Sequence, residues 1–332
     1  MTRLLSRNNL PRKALYELLE RVSRTFALSN RMLPRRFRYP MTVAYLLFRV
    51  SDYLEDNPVL RRGEKAELLR SWEQVLAGAL PETKLQGALG TLPQDDSEAE
   101  VAHRFSQILD KLDELQPEVG EAIRNRARET TLGMERRQRK GPRIETEQEL
   151  DEYMHYVAGV VGLMITEVFS SISISVRSRR RTLLPLAREY GLGLQTVNII
   201  RGVRKDRERG WIFVPEEYCR KEGISSEELF SPERSDASLR VVQRLANKAE
   251  RHLQDGLRYV EQLPRSLYRV RVATMWPLMF AAKTLSVTGN NPNVLFGEAK
   301  MSRRDVMRIV RHTIAMGWSN RWVRRYFHAL LR

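Results

Sequence analysis

The chain has 332 residues, 42% of them hydrophobic and 30% charged, which excludes a disordered chain and allows a large buried core. Its 57 Lys and Arg against 41 Asp and Glu leave a net charge of +16, suited to an anionic partner: nucleic acid, anionic lipid or a phosphorylated small molecule. One cysteine, Cys219, and five scattered histidines without an HExxH pair exclude a disulfide framework and point away from a Cys- or His-based metal site.

Taken in chain order, the opening MTRLLSRNNLPRK is basic and lacks the apolar stretch of a signal peptide. No window of about 18 uninterrupted apolar residues predicts a membrane span, so a cytoplasmic protein is expected. Leu15, Leu18, Leu19, Val22 and Phe26 recur at helical steps, which predicts one amphipathic helix from Pro11 to about Leu33. Pro40 is placed to start the next, running through Tyr45, Phe48 and Leu54 toward Pro58. Further helices are predicted over 63–80, 98–114, 117–139, 147–175, 180–206, 236–262, 265–288 and 302–330. Segment 81–97 carries the turn formers of a surface loop, and a second irregular stretch runs from Gly210 to about Ala237. The SSISISV run at 170–176 alternates like a strand but continues a helical pattern, and reads as a helix end. The expectation is an all-α protein with a single domain over 1–332: a core of about 12–317 and a basic, aromatic C-terminal helix, 318–332.

Three segments carry chemistry. In AYLLFRVSDYLEDNP, helical spacing puts Asp52, Glu55 and Asp56 near one face, with Tyr45 and Arg49 on the preceding turns. Clustered carboxylates repel, and hard divalent cations such as Mg²⁺ reward such clustering; the plain alternative is a solvated acidic patch before Pro58. In DEYMHYVAGVVG, Gly159 and Gly162 cost helix stability unless close packing or a ligand needs them. Tyr156 is either an ordinary core tyrosine or a phenol that handles a proton and faces a cation. In GLGLQTVNIIRGVRKDRERG, Gln195, Asn198, Gly202 and Asp206 form a polar stripe within an apolar segment. Arg201, Arg204, Lys205, Arg207 and Arg209 follow in the charge pattern of a phosphate site or of a solvated helix end.

Together these segments resemble the squalene/phytoene synthases, helical enzymes that join two prenyl diphosphates head to head. The resemblance runs from SRTF at 23–26 to KMSR at 300–303. The family's first aspartate-rich motif reads here as Tyr45, Arg49, Asp52, Glu55 and Asp56, and Tyr156 falls on a tyrosine assigned a catalytic role in squalene synthases. The second motif departs from the family: Gly202 stands where its first aspartate belongs and Lys205 where an acid precedes Asp206. VLFGEAKMSRRDV resembles the stretch that helps bind NADPH, with Lys300 matching and Ser302 and Arg303 beside it.

The resemblance implies an isoprenoid synthase-type bundle around a central apolar cavity. Asp52, Glu55, Asp56, Asn198 and Asp206 would hold Mg²⁺, and Tyr156, Tyr45 and Arg49 would be catalytic. Ser23, Arg24, Phe26, Arg49, Gln195, Asn198, Arg201 and Lys205 would hold substrate diphosphate, and Lys300, Ser302 and Arg303 NADPH. The expected reaction condenses two farnesyl diphosphates through presqualene diphosphate to squalene. The alternatives are a phytoene- or dehydrosqualene-type synthase without NADPH, and a non-catalytic scaffold of the same fold. A monomer is expected, without a nucleic-acid partner. The aromatic–arginine mixture of 318–332 fits either peripheral contact with the inner face of a membrane or a closing helix.

Overall fold

A computed structural model of the chain describes residues 10–94, 96–297 and 299–332; the basic N-terminal stretch lies, as far as residue 9, outside the described residues. Among these the protein is all-α, with no strand and one isolated bridge, Arg143 to Ile212. The chain divides into two compact units: one runs to Arg139 and takes in Glu167–Ser173, and the other holds Lys140–Thr166 and Ile174–Arg332.

The first unit contains α1 (Arg12–Val22), α2 (Arg24–Met32), α3 (Arg35–Asp56), α4 (Arg62–Leu76), α5 (Glu82–Leu89), α6 (Ser97–His103), α7 (Phe105–Asp113) and α8 (Pro117–Lys140, its last residue beyond the unit boundary). The single helix predicted over Pro11–Leu33 is two. Ser23 is extended (φ −156°) and its hydroxyl accepts the Phe26 N–H at 3.2 Å, because a serine offers the backbone a cap in place of the next helical bond. The next helix starts at Arg35 rather than Pro40: Pro34 supplies the pre-set φ of −55°, and Pro40 lies inside α3, where its ring costs one hydrogen bond. The loop predicted over 81–97 contains α5, whose Leu85 and Leu89 are buried at i, i+4.

Helix α3 is the core of this unit. Phe37, Val43, Leu46, Leu47, Val50 and Leu54 are fully buried, each contributing roughly 1.5–3 kcal/mol. Its buried Ser51 is satisfied by Thr131 at 2.8 Å and by Trp72 Nε1 at 3.1 Å, so the polar atoms cost little. Residues 167–173 complete the unit: Glu167 accepts a two-bond grip from Arg126 at 2.7 and 2.9 Å, and Phe169 packs edge-on against Phe37.

The second unit contains α9 (Glu147–Met154), a π-helical turn (His155–Gly159), α10 (Val160–Ile172, shared with the first), α11 (Ile174–Arg177), α12 (Arg180–Glu208), α13 (Glu216–Lys221), α14 (Ser235–Gln262), α15 (Tyr268–Thr288), α16 (Asn293–Phe296), α17 (Arg303–Met316) and α18 (Asn320–Leu331). The alternating serines fall at a helix end, as read. The helix predicted over 302–330 breaks at Gly317, and Ser319 caps α18. The irregular stretch from Gly210 holds α13 and two 3-10 turns.

Glycines let α12 approach its neighbours: a Cβ on Gly162 would lie 2.2 Å from Ala187 O, and one on Gly191 2.3 Å from Ala158 O. Close packing therefore accounts for Gly162. Arg271 is fully buried and donates to Val260 O, Leu263 O and Asn320 Oδ1 at 2.5, 2.9 and 2.7 Å, satisfying the carbonyls that α14 leaves open at its end. One helical run, Glu147–Ile172, has the length and mean hydropathy (1.4) of a membrane-crossing helix. Its Asp151 and Glu167 are nevertheless ion-paired, to Lys248 and Arg126 at 2.7 Å each.

Candidate active site

In the first unit the structure brings together most of the residues singled out there. Phe26 stacks on Tyr45 with ring centroids 4.2 Å apart. The Ser23 hydroxyl, which begins α2, is also hydrogen-bonded to the Tyr45 phenol. One turn on, Arg49 Nη1 donates to Asp52 Oδ2 at 2.8 Å, while Nη2 pairs with Glu98 on α6. Tyr45, Arg49 and Asp52 thus follow one another along one face of α3, with Ser23 beside the Tyr45 phenol. Arg24 is exposed at the start of α2.

The carboxylates beyond Arg49 are crowded. Burial raises the Asp52 carboxyl to about 6, Arg49 pulling it down and Asp56 pushing it further up, although about a third of its side-chain surface (32%) stays open. Glu55 is raised well above the usual carboxylate range, by burial first and then by Asp56 and Asp52. Lys65 and a hydrogen bond from Gln138 relieve it only in part.

Three neighbouring acids are the donor type that a hard divalent cation takes, and such a cation would offset their mutual repulsion. Two buried atoms around them are unpartnered, the acceptor Gln138 Oε1 and the donor Arg49 Nε. An acceptor suits a metal-bound water, and a guanidinium N–H suits a phosphate oxygen. Among the described residues no group of three His, Cys, Asp or Glu stands close enough together to hold a metal ion as it is.

In the second unit Tyr156 lies on the π-helical turn, half-buried. Such single-turn widenings rotate the following side chains out of register and recur at functional sites. The His155 ring is 5.3 Å from that of Tyr156, and His155 Nδ1 accepts from Arg188 Nε at 3.3 Å. Arg188 in turn pairs with Glu189, whose other oxygen meets His252 Nδ1 at 2.8 Å. The turn is thus fixed from α12 by a chain of polar contacts.

The stripe on α12 is only loosely joined. Asn198 Nδ2 lies 3.5 Å from Gln195 Oε1, at the limit of a hydrogen bond. Asp206 folds back over Gly202, its Oδ2 3.2 Å from where a Cβ would be; one carboxylate occupies the space of the missing side chain. Arg204 is committed to Glu208 at 3.1 Å and to Phe296 O at 3.3 Å, and Arg207 lies 4.4 Å over the Phe230 ring. Arg201 and Lys205 are exposed and make no ion pair among the described residues, so the available cations are these two. Two cations beside an acid and an amide suit a diphosphate better than they suit a second metal.

Lys300 and Arg303 are both exposed around the start of α17. The Ser302 hydroxyl is engaged as the cap of α17, accepting from Asp305 N at 3.1 Å and donating to Asp305 Oδ2 at 2.6 Å.

Glu98, Gln138 and Arg188 were not found by motif or spacing. Each meets its partner from far along the chain, and no local pattern marks such a pairing.

Comparison with known proteins follows the same residues. The chain is 25% identical over 305 residues to squalene synthase of Schizosaccharomyces pombe, an alignment covering 90% of this chain and 64% of that one. It thus spans less than two thirds of that relative's length. Its fold matches ligand-bound TcSQS with a TM-score of 0.82 at 22% identity, over 96% of this chain and 91% of the other. A ligand-bound dehydrosqualene synthase matches at TM-score 0.66 and 20% identity, over 92% and 95%. The family model for squalene/phytoene synthase matches residues 19–305, a span that takes in the carboxylate face of α3, the tyrosine turn and the α12 stripe. The chain belongs to the squalene/phytoene synthase family.

Proposed function

We propose that the chain is a head-to-head prenyltransferase that condenses two farnesyl diphosphates to squalene through presqualene diphosphate, its two units working as one catalytic domain with a core of about 12–317. The observation that carries this reading is the face of α3 on which Tyr45 and Arg49 precede three neighbouring carboxylates, with Arg49 bonded to Asp52.

Asp52, Glu55 and Asp56 would hold Mg²⁺, with Asn198 and Asp206 as further donors from α12. Bound there, the metal would neutralise the charge of a departing diphosphate. Arg49, Arg24, Arg201 and Lys205 hold phosphate oxygens, the last standing in for the acid that the family usually carries. Arg49 must exchange Glu98 for phosphate as substrate arrives. Tyr156 takes part in the loss of the proton that closes the cyclopropyl ring. The stacked Phe26 and Tyr45 rings offer a cation their electron-rich faces. NADPH, held by Lys300 and Arg303, would supply the hydride of the second half-reaction. On this reading the chain is a cytoplasmic monomer that meets the inner face of the membrane peripherally.

A second reading, a non-catalytic scaffold, is favoured by Gly202 and Lys205. A synthase that stops before reduction is the third. The test is to incubate the purified chain with farnesyl diphosphate and Mg²⁺, with and without NADPH, and identify the lipids by mass spectrometry. Squalene appears only with NADPH if the proposal holds. Presqualene diphosphate or dehydrosqualene alone moves the chain to the third reading. No product, with geranylgeranyl diphosphate also tried, removes the catalytic proposal.

A further inference from the structure

Helix α17 rests on the second unit through Ile309 and Thr313, both buried. On the opposite side, Arg304, Met307, Arg311, Ile314 and Trp318 follow one another at steps of three and four and form one outward stripe. Its apolar members are unusually open for their type: Met307 51%, Ile314 44% and Trp318 56%, with Met316 at 40% beside them. Arg304 and Arg311 make no ion pair among the described residues, and Arg308 reaches Asp305 only at 3.9 Å. Arg303, Arg304, Met307, Arg308, Arg311 and His312 line an open groove of about 500 Å³ along this face. Over residues 303–332 eight arginines meet a single acid, Asp305.

Helix α18, where the aromatic residues drew attention, is used differently. Val323 and Phe327 are buried, Trp322 stacks on Tyr326 at 4.7 Å, and Arg324 grips Glu261 at 3.0 and 3.1 Å. It is largely a closing helix, and the open apolar surface belongs to α17.

We infer that the outward stripe of α17, continued by Trp318, is a docking surface for an anionic phospholipid bilayer. Charge complementarity selects the occupant. The arginines alone would suit any anion, but a soluble phosphate has no use for Met307, Ile314 and Trp318 interleaved among them. A bilayer uses both: the guanidinium groups meet lipid phosphates while the apolar side chains enter at the acyl boundary. Tryptophan and methionine tolerate that boundary, the first amphipathic, the second adaptable. The inference does not rest on the prenyl-transfer reading.

The test uses the full chain with extruded vesicles of phosphatidylcholine, with and without phosphatidylglycerol. The chain co-sediments with the anionic vesicles, and binding falls as salt is raised. Replacing Arg304 and Arg311 together by Ser weakens binding about thirtyfold; Met307→Ser with Trp318→Ser weakens it by about tenfold. Lipids brominated in the acyl chains quench tryptophan fluorescence, and Trp318→Phe removes most of that quenching. All positions are exposed, so unchanged thermal melts confirm that the variants fold. Absence of binding to anionic vesicles overturns the inference. So does binding that ignores the Met307/Trp318 pair, or that millimolar inositol hexakisphosphate abolishes at constant ionic strength, since either would show an arginine cluster for soluble phosphate. Quenching that survives Trp318→Phe places the contact elsewhere and also overturns it.

Discussion

Asp52 holds two opposed effects in one carboxyl: burial and Asp56 push its pKa up, Arg49 pulls it down, and it settles at about 6. An unfolded chain would release this proton near 3.9. Between those values the folded state binds the extra proton, so this group's contribution to stability falls as pH rises through that window. In the presence of a chelator, Asp52→Asn is therefore expected to be more stable than the parent by about 1–2 kcal/mol at pH 8, with the gain shrinking toward zero as the pH falls from 6 to 4. Urea denaturation at the two ends of that range measures it; a pH-independent difference would mean that the carboxyl carries no such cost. With Mg²⁺ present the parent's melting temperature rises and the variant's does not, because the cation stabilises only the state that binds it. On the proposed reading the same substitution is expected to abolish Mg²⁺-dependent release of inorganic diphosphate from farnesyl diphosphate, measured by a coupled diphosphate assay. Residues of this kind were readable in advance, since Tyr45, Arg49, Asp52, Glu55 and Asp56 lie at helical spacing within α3. Glu98 was not, because what pairs it with Arg49 is the packing of α6 on α3.

At the scale of the element, glycines decide how closely α12 meets its neighbours. Gly162→Ala would set a methyl 2.2 Å from Ala187 O, a clash with backbone that no rotamer can relieve. It is expected to cost about 3 kcal/mol or more, seen as a lower urea midpoint; a neutral result would mean that α10 and α12 separate easily. Gly202 is the contrasting case. The atom nearest its missing Cβ, 3.2 Å away, is the end of the Asp206 side chain, which can swing aside. Gly202→Asp with Lys205→Glu is thus tolerated by the fold and rebuilds an acidic cluster on α12, altering the Mg²⁺ dependence of turnover. An unchanged Mg²⁺ titration would show that the stripe never meets the metal.

Helix positions were legible from periodicity, and the errors share a cause. Ser23 and Gly317 end helices by capping chemistry that leaves the apolar repeat undisturbed, so a reading based on period runs straight through them. The short α5 was hidden by the turn formers around it, and only Leu85 and Leu89 betray it. The widened turn at His155–Gly159 has no periodic signature at all, because one extra residue in a turn does not alter which residues are apolar.

For the whole molecule, the chain path matters more than any single helix. It leaves the first unit after Arg139, returns for Glu167–Ser173 and leaves again. Phe169, 2% exposed, is a core residue of that unit supplied from a distant part of the chain. Phe169→Ala is expected to destabilise the first unit by about 3–5 kcal/mol. Quenching of Trp72, the tryptophan of that unit, against denaturant reads the loss; an unmoved Trp72 transition would mean that the returning segment is peripheral to it. The net charge is equally a property of the whole, yet the sequence alone could not say where the unpaired part of +16 lies. Arg126, Arg128, Arg240 and Arg244 are spent on acids of their own unit, whereas Arg303, Arg304 and Arg311 of α17 make no ion pair among the described residues.

The returning segment also orders events at the ribosome. Chains emerge N-terminus first, so the carboxylate-bearing helix is made early, while the two-bond grip on Arg126 and the ring that packs on Phe37 do not exist until residues 167 and 169 have been translated. Until then the nascent first unit displays an unfilled apolar seat and a guanidinium held by Glu129 alone. Translation through the tyrosine turn is therefore a vulnerable interval, in which a chaperone that covers apolar surface has the most to protect.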